Sequence, residues 1–319
     1  MSDAVLLLAH GTPDRVEEIP EYLARVTGGR ALPKEVVDEV SHRFSVIGGS
    51  PLTALTLEQG RLLEQEIGVP VYVGMRNWKP YVADVVSRMR DEGVTRAVAI
   101  CLAPQNSRTS VGLYRGAVFA AAAGALEIDF VEDWADAPLL ADAFAERLRA
   151  TREAFSAEVK EPVPVLFTAH SVPCRTVLTA PPTNGNATGA PPDPYPVEAK
   201  QTARLVASRI PGLKDQDWFF AFQSQGMSGG PWLGPTVEDT LTALRQEGVK
   251  NLIIQPIGFL CDHVEILYDI DVGFREFGAK LGMTIRRPAS LNDSRLLTLA
   301  LADLARHGLA EAHSSQPKA

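Results

Sequence analysis

Short apolar runs, each closed by a glycine, a proline or a polar turn, alternate with longer amphipathic stretches along the chain. The runs at Ala4–Ala9, Val69–Met75, Ala97–Leu102 and Ile128–Val131 predict four strands in the first half. Around them, a Glu-rich stretch ending at Gly28-Gly29-Arg30, a segment carrying Arg43-Phe44-Ser45, and the stretches Leu52–Ile67, Val82–Glu92, Ala117–Ala123 and Leu139–Ala157 predict helices. The second half predicts strands at Val163–Thr168, Trp218–Gln223, Leu252–Gly258 and Thr284–Arg287. Its helices fall near Glu198–Arg209, Val237–Glu247, Val264–Phe274 and Asp293–His307. Runs apolar at successive positions, not at alternate ones, mark strands buried on both faces. Strands alternating with helices then predict doubly wound parallel α/β sheets.

The two halves repeat one another. Val5-Leu6-Leu7-Leu8-Ala9-His10-Gly11-Thr12-Pro13 matches Val165-Leu166-Phe167-Thr168-Ala169-His170-Ser171-Val172-Pro173 at Val, Leu, Ala, His and Pro. Val82–Val94 aligns with Val237–Val249, and a β-like run follows each copy. The predicted organisation is therefore a first domain over 1–157, a second over 158–310 and a disordered tail over 311–319. Leu178–Pro196, dense in Pro, Gly, Asn and Thr, reads as a mobile surface loop just beyond His170, either a lid or a plain insertion.

Composition narrows the function. A chain of 319 residues has room for two cores, and a net charge of -8 argues against nucleic acid and anionic membranes as partners. Cys101, Cys174 and Cys261 are too few and too scattered for a disulfide framework or a zinc knuckle. With no basic leader and no long apolar segment, neither secretion nor membrane spanning is expected, and a cytoplasmic location follows.

The candidate chemistry sits at strand ends. His170 closes the Val165 run, at the edge of a parallel sheet where ligands bind. In Pro256–Asp271 a strand gives way to a helix with Asp262 as its N-cap, and Asp262, Glu265 and Asp269 fall at i, i+3 and i+7 on one face. That row is either a capped helix with favourable N-terminal charges or a path for a divalent cation. Trp232, among the glycines and prolines of Gln223–Pro235, suggests a wall for a flat apolar ligand. Arg30 and Arg43 are either surface arginines or carboxylate holders.

Several of these motifs, in order and over nearly the whole chain, resemble ferrochelatases. They are Arg43-Phe44…Ile47-Gly48-Gly49-Ser50-Pro51-Leu52, Thr168-Ala169-His170-Ser171-Val172-Pro173, Gln223-Ser224-x-Gly226…Pro231-Trp232-Leu233-Gly234-Pro235 and Pro256-Ile257-Gly258-Phe259…Asp262-His263-x-Glu265-x-Leu267-Tyr268-Asp269. The resemblance implies two Rossmann-like domains with parallel four-stranded sheets, of the class II chelatase kind, holding a porphyrin between them while Fe²⁺ replaces two pyrrole protons. It implies His170 and Glu265 as the catalytic pair, and His170, Glu265 and Asp269 as groups that meet the metal. His10, Arg30, Arg43, Ser50 and Trp232 become expected porphyrin contacts.

The chain also departs from its relatives. Gly273 stands where some carry a Glu, which weakens an outer metal site. Asn77 stands where some carry a histidine, and His10 where some carry a tyrosine, either as an axial ligand to product haem or as a structural histidine. Members with a [2Fe–2S] cluster use four cysteines, three of them in a C-terminal extension; this chain has none after Cys261, so no cluster and no permanently bound cofactor is expected. The short Glu21–Arg43 segment lacks the apolar lip of membrane-associated enzymes. The expected substrate is coproporphyrin III, with protoporphyrin IX second, and the expected form is a monomer. The competing readings are a chelatase of the cobalt/sirohydrochlorin type, a phosphate-transfer enzyme using Ala9-His10-Gly11, and a non-catalytic haem or iron carrier.

Overall fold

The computed structural model describes residues 2–177, 192–226 and 230–314. In the first half, β1 (Ser2–Ala9), β2 (Val71–Met75), β3 (Val94–Cys101) and β4 (Glu127–Val131) form one parallel sheet in the order β2-β1-β3-β4. In the second, β5 (Val165–His170), β6 (Trp218–Gln223), β7 (Asn251–Pro256) and β8 (Thr284–Arg286) take the order β6-β5-β7-β8. The same permutation occurs twice, as the sequence repeat predicts. In each sheet the chain leaves the first strand toward one edge and returns on its other side, so a crevice opens at the carboxyl ends of β1 and β3, and again at those of β5 and β7. His10 follows β1 and His170 ends β5, so each histidine stands at such a switch point.

Burial explains why these runs are strands. Ala4, Leu6 and Leu8 of β1 face one core, against Val82, Val86, Val111 and Val118 from two helices, while Val5, Leu7 and Ala9 face another. That second core is shared: it also holds Val165, Phe167 and Ala169 of β5 and Ile253 of β7. Two helices join the halves there. Pro138–Val159 contacts β7 and the second-half helix Tyr195–Ala207, whereas the terminal helix Arg295–Ser314 lies over β3, β4 and Leu52–Ile67. Close approach at this crossing requires Gly308, where a Cβ would stand 2.8 Å from Val98 Cγ1. The Arg96 guanidinium, paired with Asp3, donates to Leu309 O at 3.0 Å. The helix predicted to finish the second half thus caps the sheet of the first. Its backbone remains helical to Ser314 across part of the expected tail, while 315–319 lie outside the described residues, as do 178–191 of the predicted loop.

One predicted helix is not continuous. Val264–Phe274 divides into an α-turn, Val264–Leu267, and a π-helical segment, Asp269–Phe274, followed by an α-helix at Arg275–Lys280. Tyr268 O accepts from both Val272 N and Gly273 N, the wide turn of a π-helix. Asp262 is not the N-cap and forms no capping box; His263 holds that position with extended backbone. The carboxylate of Asp262 is bound elsewhere, by Ser290 Oγ at 2.6 Å and Asn292 Nδ2 at 2.9 Å.

Candidate active site

A cavity of about 380 Å³ lies between the halves, within the range of small-molecule sites. Its first-half wall includes His10, Arg76 and Tyr114, and its second-half wall includes His170, Trp232, Phe259, His263 and Glu265. The three titratable groups of the second wall meet. His170 Nε2 stands 3.5 Å from Glu265 Oε1, and His263 Nε2 stands 3.6 Å from Glu265 Oε2.

Local structure imposes this arrangement. His170 Nδ1 donates to Ser171 O and His263 Nδ1 donates to Cys261 O at 3.1 Å, which leaves each Nε2 facing the carboxylate. Tyr195 Oη donates to His170 O at 2.8 Å. Gln223, the last residue of β6, accepts from Thr168 Oγ1 at 2.6 Å and donates to Glu265 O at 3.0 Å, tying the ends of β5 and β6 to the glutamate turn. Phe259 packs against both imidazoles, with centroids 6.3 Å from His170 and 4.5 Å from His263.

The charges of the trio are interdependent. Burial alone pushes the Glu265 carboxyl up, but the facing imidazoles of His170 and His263 outweigh it and hold it well below the usual carboxylate range. Burial likewise pulls His170 down, while the charge of Glu265 and its hydrogen bond raise it above the ordinary histidine value. About a third of each side chain, 34% and 33%, stays open toward the cavity. A proton acceptor beside a fixed anion is what this wall provides.

Other predicted residues fall in different places. His10 lines the cavity, but both its nitrogens are occupied: Asn77 Nδ2 donates to Nδ1 at 3.1 Å, and Nε2 lies 2.8 Å from Tyr22 Oη. Burial, reinforced by the Arg76 charge, lowers its pKa to about 4. Trp232 lines the cavity and pairs through its backbone with Pro173; a Cβ on Gly226 would stand 2.7 Å from its ring.

Arg30, Arg43, Ser50 and Asp269 do not line the cavity. Arg30 is exposed, and Ser50 is buried, accepting from Thr12 Oγ1 at 2.9 Å. Asp269 accepts from Ser224 Oγ at 2.6 Å and pairs with Arg43 Nη1 at 3.2 Å, and Arg43 also holds Glu39. Burial and the neighbouring Glu265 raise Asp269 above the ordinary value, partly offset by Ser224 and Arg43. The expected row of Asp262, Glu265 and Asp269 is therefore not a continuous ladder, since Asp262 faces Arg287, Ser290 and Asn292. Among the described residues, no group of three or more His, Cys, Asp or Glu side chains has metal-holding geometry.

His263 was not singled out by its sequence position. Two residues before Glu265 on a helix it would point away, but the helix begins only at Val264, and extended backbone at His263 brings both side chains to one wall. Arg76 and Tyr114 carried no motif signal; their guanidinium and ring meet at 5.4 Å.

Residues 2–309 match the ferrochelatase family model. A ferrochelatase of Acidobacterium capsulatum is 68% identical over 316 residues, covering 98% of this chain and 96% of that protein. A coproporphyrin III ferrochelatase of Geobacillus kaustophilus is 32% identical, covering 94% of each. Among solved structures, the sirohydrochlorin chelatase SirB from Bacillus subtilis subspecies spizizenii, in complex with cobalt, superposes with a TM-score of 0.59 at 12% identity, covering 99% of this chain and 98% of that one. At that identity the likeness concerns the fold, which is the class II chelatase fold.

Proposed function

This chain belongs to the ferrochelatase family, and we propose that it inserts Fe²⁺ into coproporphyrin III, giving coproheme in haem biosynthesis, with protoporphyrin IX the second-choice substrate. The observation that carries the chemistry is Glu265 between the Nε2 atoms of His170 and His263, on the wall of a cavity between the halves. Metallation removes two pyrrole protons and strips water from a hydrated cation. In this reading neutral His170 accepts a proton at Nε2, and Glu265 stabilises the imidazolium that forms. His263 offers a second Nε2 to the opposite carboxylate oxygen. The same groups are Lewis bases that meet the incoming iron, which is substrate and not a resident ion. Asp269, beside the Ser224 hydroxyl and the Arg43 guanidinium, extends the acidic route outward from Glu265.

His10 then serves as a wall of the site held by Tyr22 and Asn77, because coordinating product iron would cost it one of those bonds. Arg30 and Arg43 remain the proposed propionate partners, Arg43 on release from Asp269 and Glu39 when the porphyrin binds, with Ser50 behind Thr12. Coproporphyrin is favoured because the short Glu21–Arg43 segment lacks the apolar lip of membrane-associated enzymes, as in the short members of the family that take the substrate with four propionates. No helix among the described residues is long and apolar enough to cross a membrane. We propose further that the protein works as a cytoplasmic monomer without a bound cluster.

Anaerobic absorbance assays with Fe²⁺ and each of coproporphyrin III, protoporphyrin IX and sirohydrochlorin test the reading. The expected result is kcat/KM at least about 10-fold higher for coproporphyrin III, roughly 1.4 kcal/mol of discrimination. A preference for protoporphyrin IX overturns the substrate, and turnover of sirohydrochlorin alone overturns the proposed reaction.

A further inference from the structure

Asn292 lies between β8 and the terminal helix in a left-handed backbone conformation, φ 46°, which asparagine tolerates better than most residues. All of its polar groups are engaged. Its N–H donates to Leu260 O at 2.9 Å, and its carbonyl accepts from Gln59 Nε2 at 2.7 Å. Its side chain grips Asp262 twice, Nδ2 donating to Asp262 Oδ2 and Oδ1 accepting from Asp262 N, each at 2.9 Å.

The second grip bears on the active site. Asp262 N–H and Cys261 C=O belong to one planar peptide unit, so holding the N–H fixes the direction of the carbonyl. Cys261 O is the acceptor for His263 Nδ1–H. The tautomer that turns His263 Nε2 toward Glu265 thus depends on a peptide plane that Asn292 holds from its other edge. Asp262 itself is an anchor, its carboxylate taken up by Ser290, Asn292 and Arg287.

The Gln59 bond reaches the other wall. Gln59 lies on the helix Leu52–Ile67, is 2% exposed and lines the same cavity. Its amide cannot be flipped, because two oxygens would then face each other at 2.7 Å; its Oε1 accordingly stays buried with no hydrogen-bond partner.

We propose that Asn292 is a positioning residue for metallation, setting the His263–Glu265 pair through the Cys261–Asp262 peptide and registering it against the first half through Gln59. The inference rests on the histidine–carboxylate reading of the site, but not on which porphyrin is used.

Asn292→Gly is the informative variant, since glycine accepts the positive φ and keeps both backbone bonds while deleting the two to Asp262. Against Fe²⁺ and coproporphyrin III, or protoporphyrin IX if the wild-type chain prefers it, kcat falls about 10- to 100-fold and porphyrin KM stays within about 3-fold. Long-range ¹⁵N NMR of the imidazoles shows His263 changing from the Nδ1–H tautomer to a mixture. If the glycine variant does not fold, Asn292→Ser, too short to span both groups of Asp262, is read by the same two measurements. A wild-type tautomer with unchanged kcat in the folded variant, or a loss confined to KM, overturns the proposal. Because the NMR arm needs no turnover, an error in the assigned substrate leaves it intact.

Discussion

His10 and His170 occupy equivalent positions, each just at the end of the first strand of its sheet and each on a wall of the same cavity, yet they are different chemical groups. His10 meets neutral partners, Tyr22 and Asn77, with the Arg76 charge nearby, and its pKa falls to about 4. His170 meets the Glu265 carboxylate and is raised. Burial opposes the charged imidazole in both cases. The facing side chain decides the outcome, because a carboxylate a few ångströms away in a site of low dielectric outweighs desolvation while an amide and a phenol cannot. Duplication supplies two histidines; only one of the two is given a carboxylate partner.

The largest expected effect separates the two directly. His170→Ala lowers kcat by at least about 10², the usual contribution of an acid–base group, while His10→Ala lowers it less than about 10-fold, both read from anaerobic metallation rates. Comparable losses in the two variants would erase the distinction. Next comes the partner: Glu265→Gln removes the charge that raises His170, so any residual activity has its acid limb at lower pH than wild type, as a pH–rate profile would show. An acid limb that stays in place would mean that Glu265 does not govern the histidine.

A reciprocal test gives His10 what it lacks. Asn77→Asp puts a carboxylate at the imidazole, and NMR titration should show the pKa of His10 rising from about 4. The smallest effect is on stability. With His10 near 4 when folded and 6.5 as the ordinary histidine value, the unfolded chain binds more protons between those values. The free energy of unfolding therefore falls as pH drops from about 6.5 to about 4, levels off below, and is unaffected by this group above about 6.5. His10→Gln should flatten that segment of a urea-denaturation series.

Much of the fold was legible because its signals are local. Apolar runs closed by turn residues located the eight strands of the described residues, and the repeat anticipated two sheets of one permutation. His170 and Glu265 were legible for the same reason, lying just beyond strand ends where a parallel sheet opens its crevice. The domain-crossing helix was not, since an amphipathic stripe at Arg295–Ser314 records that a face is buried and not which sheet covers it. The break of the Val264–Phe274 helix was hidden as well: its pattern suits an α-helix, and only the long-range demands on its carboxylates, Arg43 and Ser224 on Asp269 and Arg287 on Asp271, accompany the wide turn.

The sequence by itself determined the strands, the duplicated topology and the family, and it marked His170 and Glu265 as candidates, because hydrophobic periodicity and strand-end chemistry are written residue by residue. Tertiary structure alone decided that His263 joins that pair, that Asp262 leaves the acidic row to become an anchor, and that Arg43 is spent on Asp269. Those outcomes depend on which distant groups meet. A buried charge takes whatever partner the packed chain brings within hydrogen-bonding reach, and that proximity is not encoded at any one position.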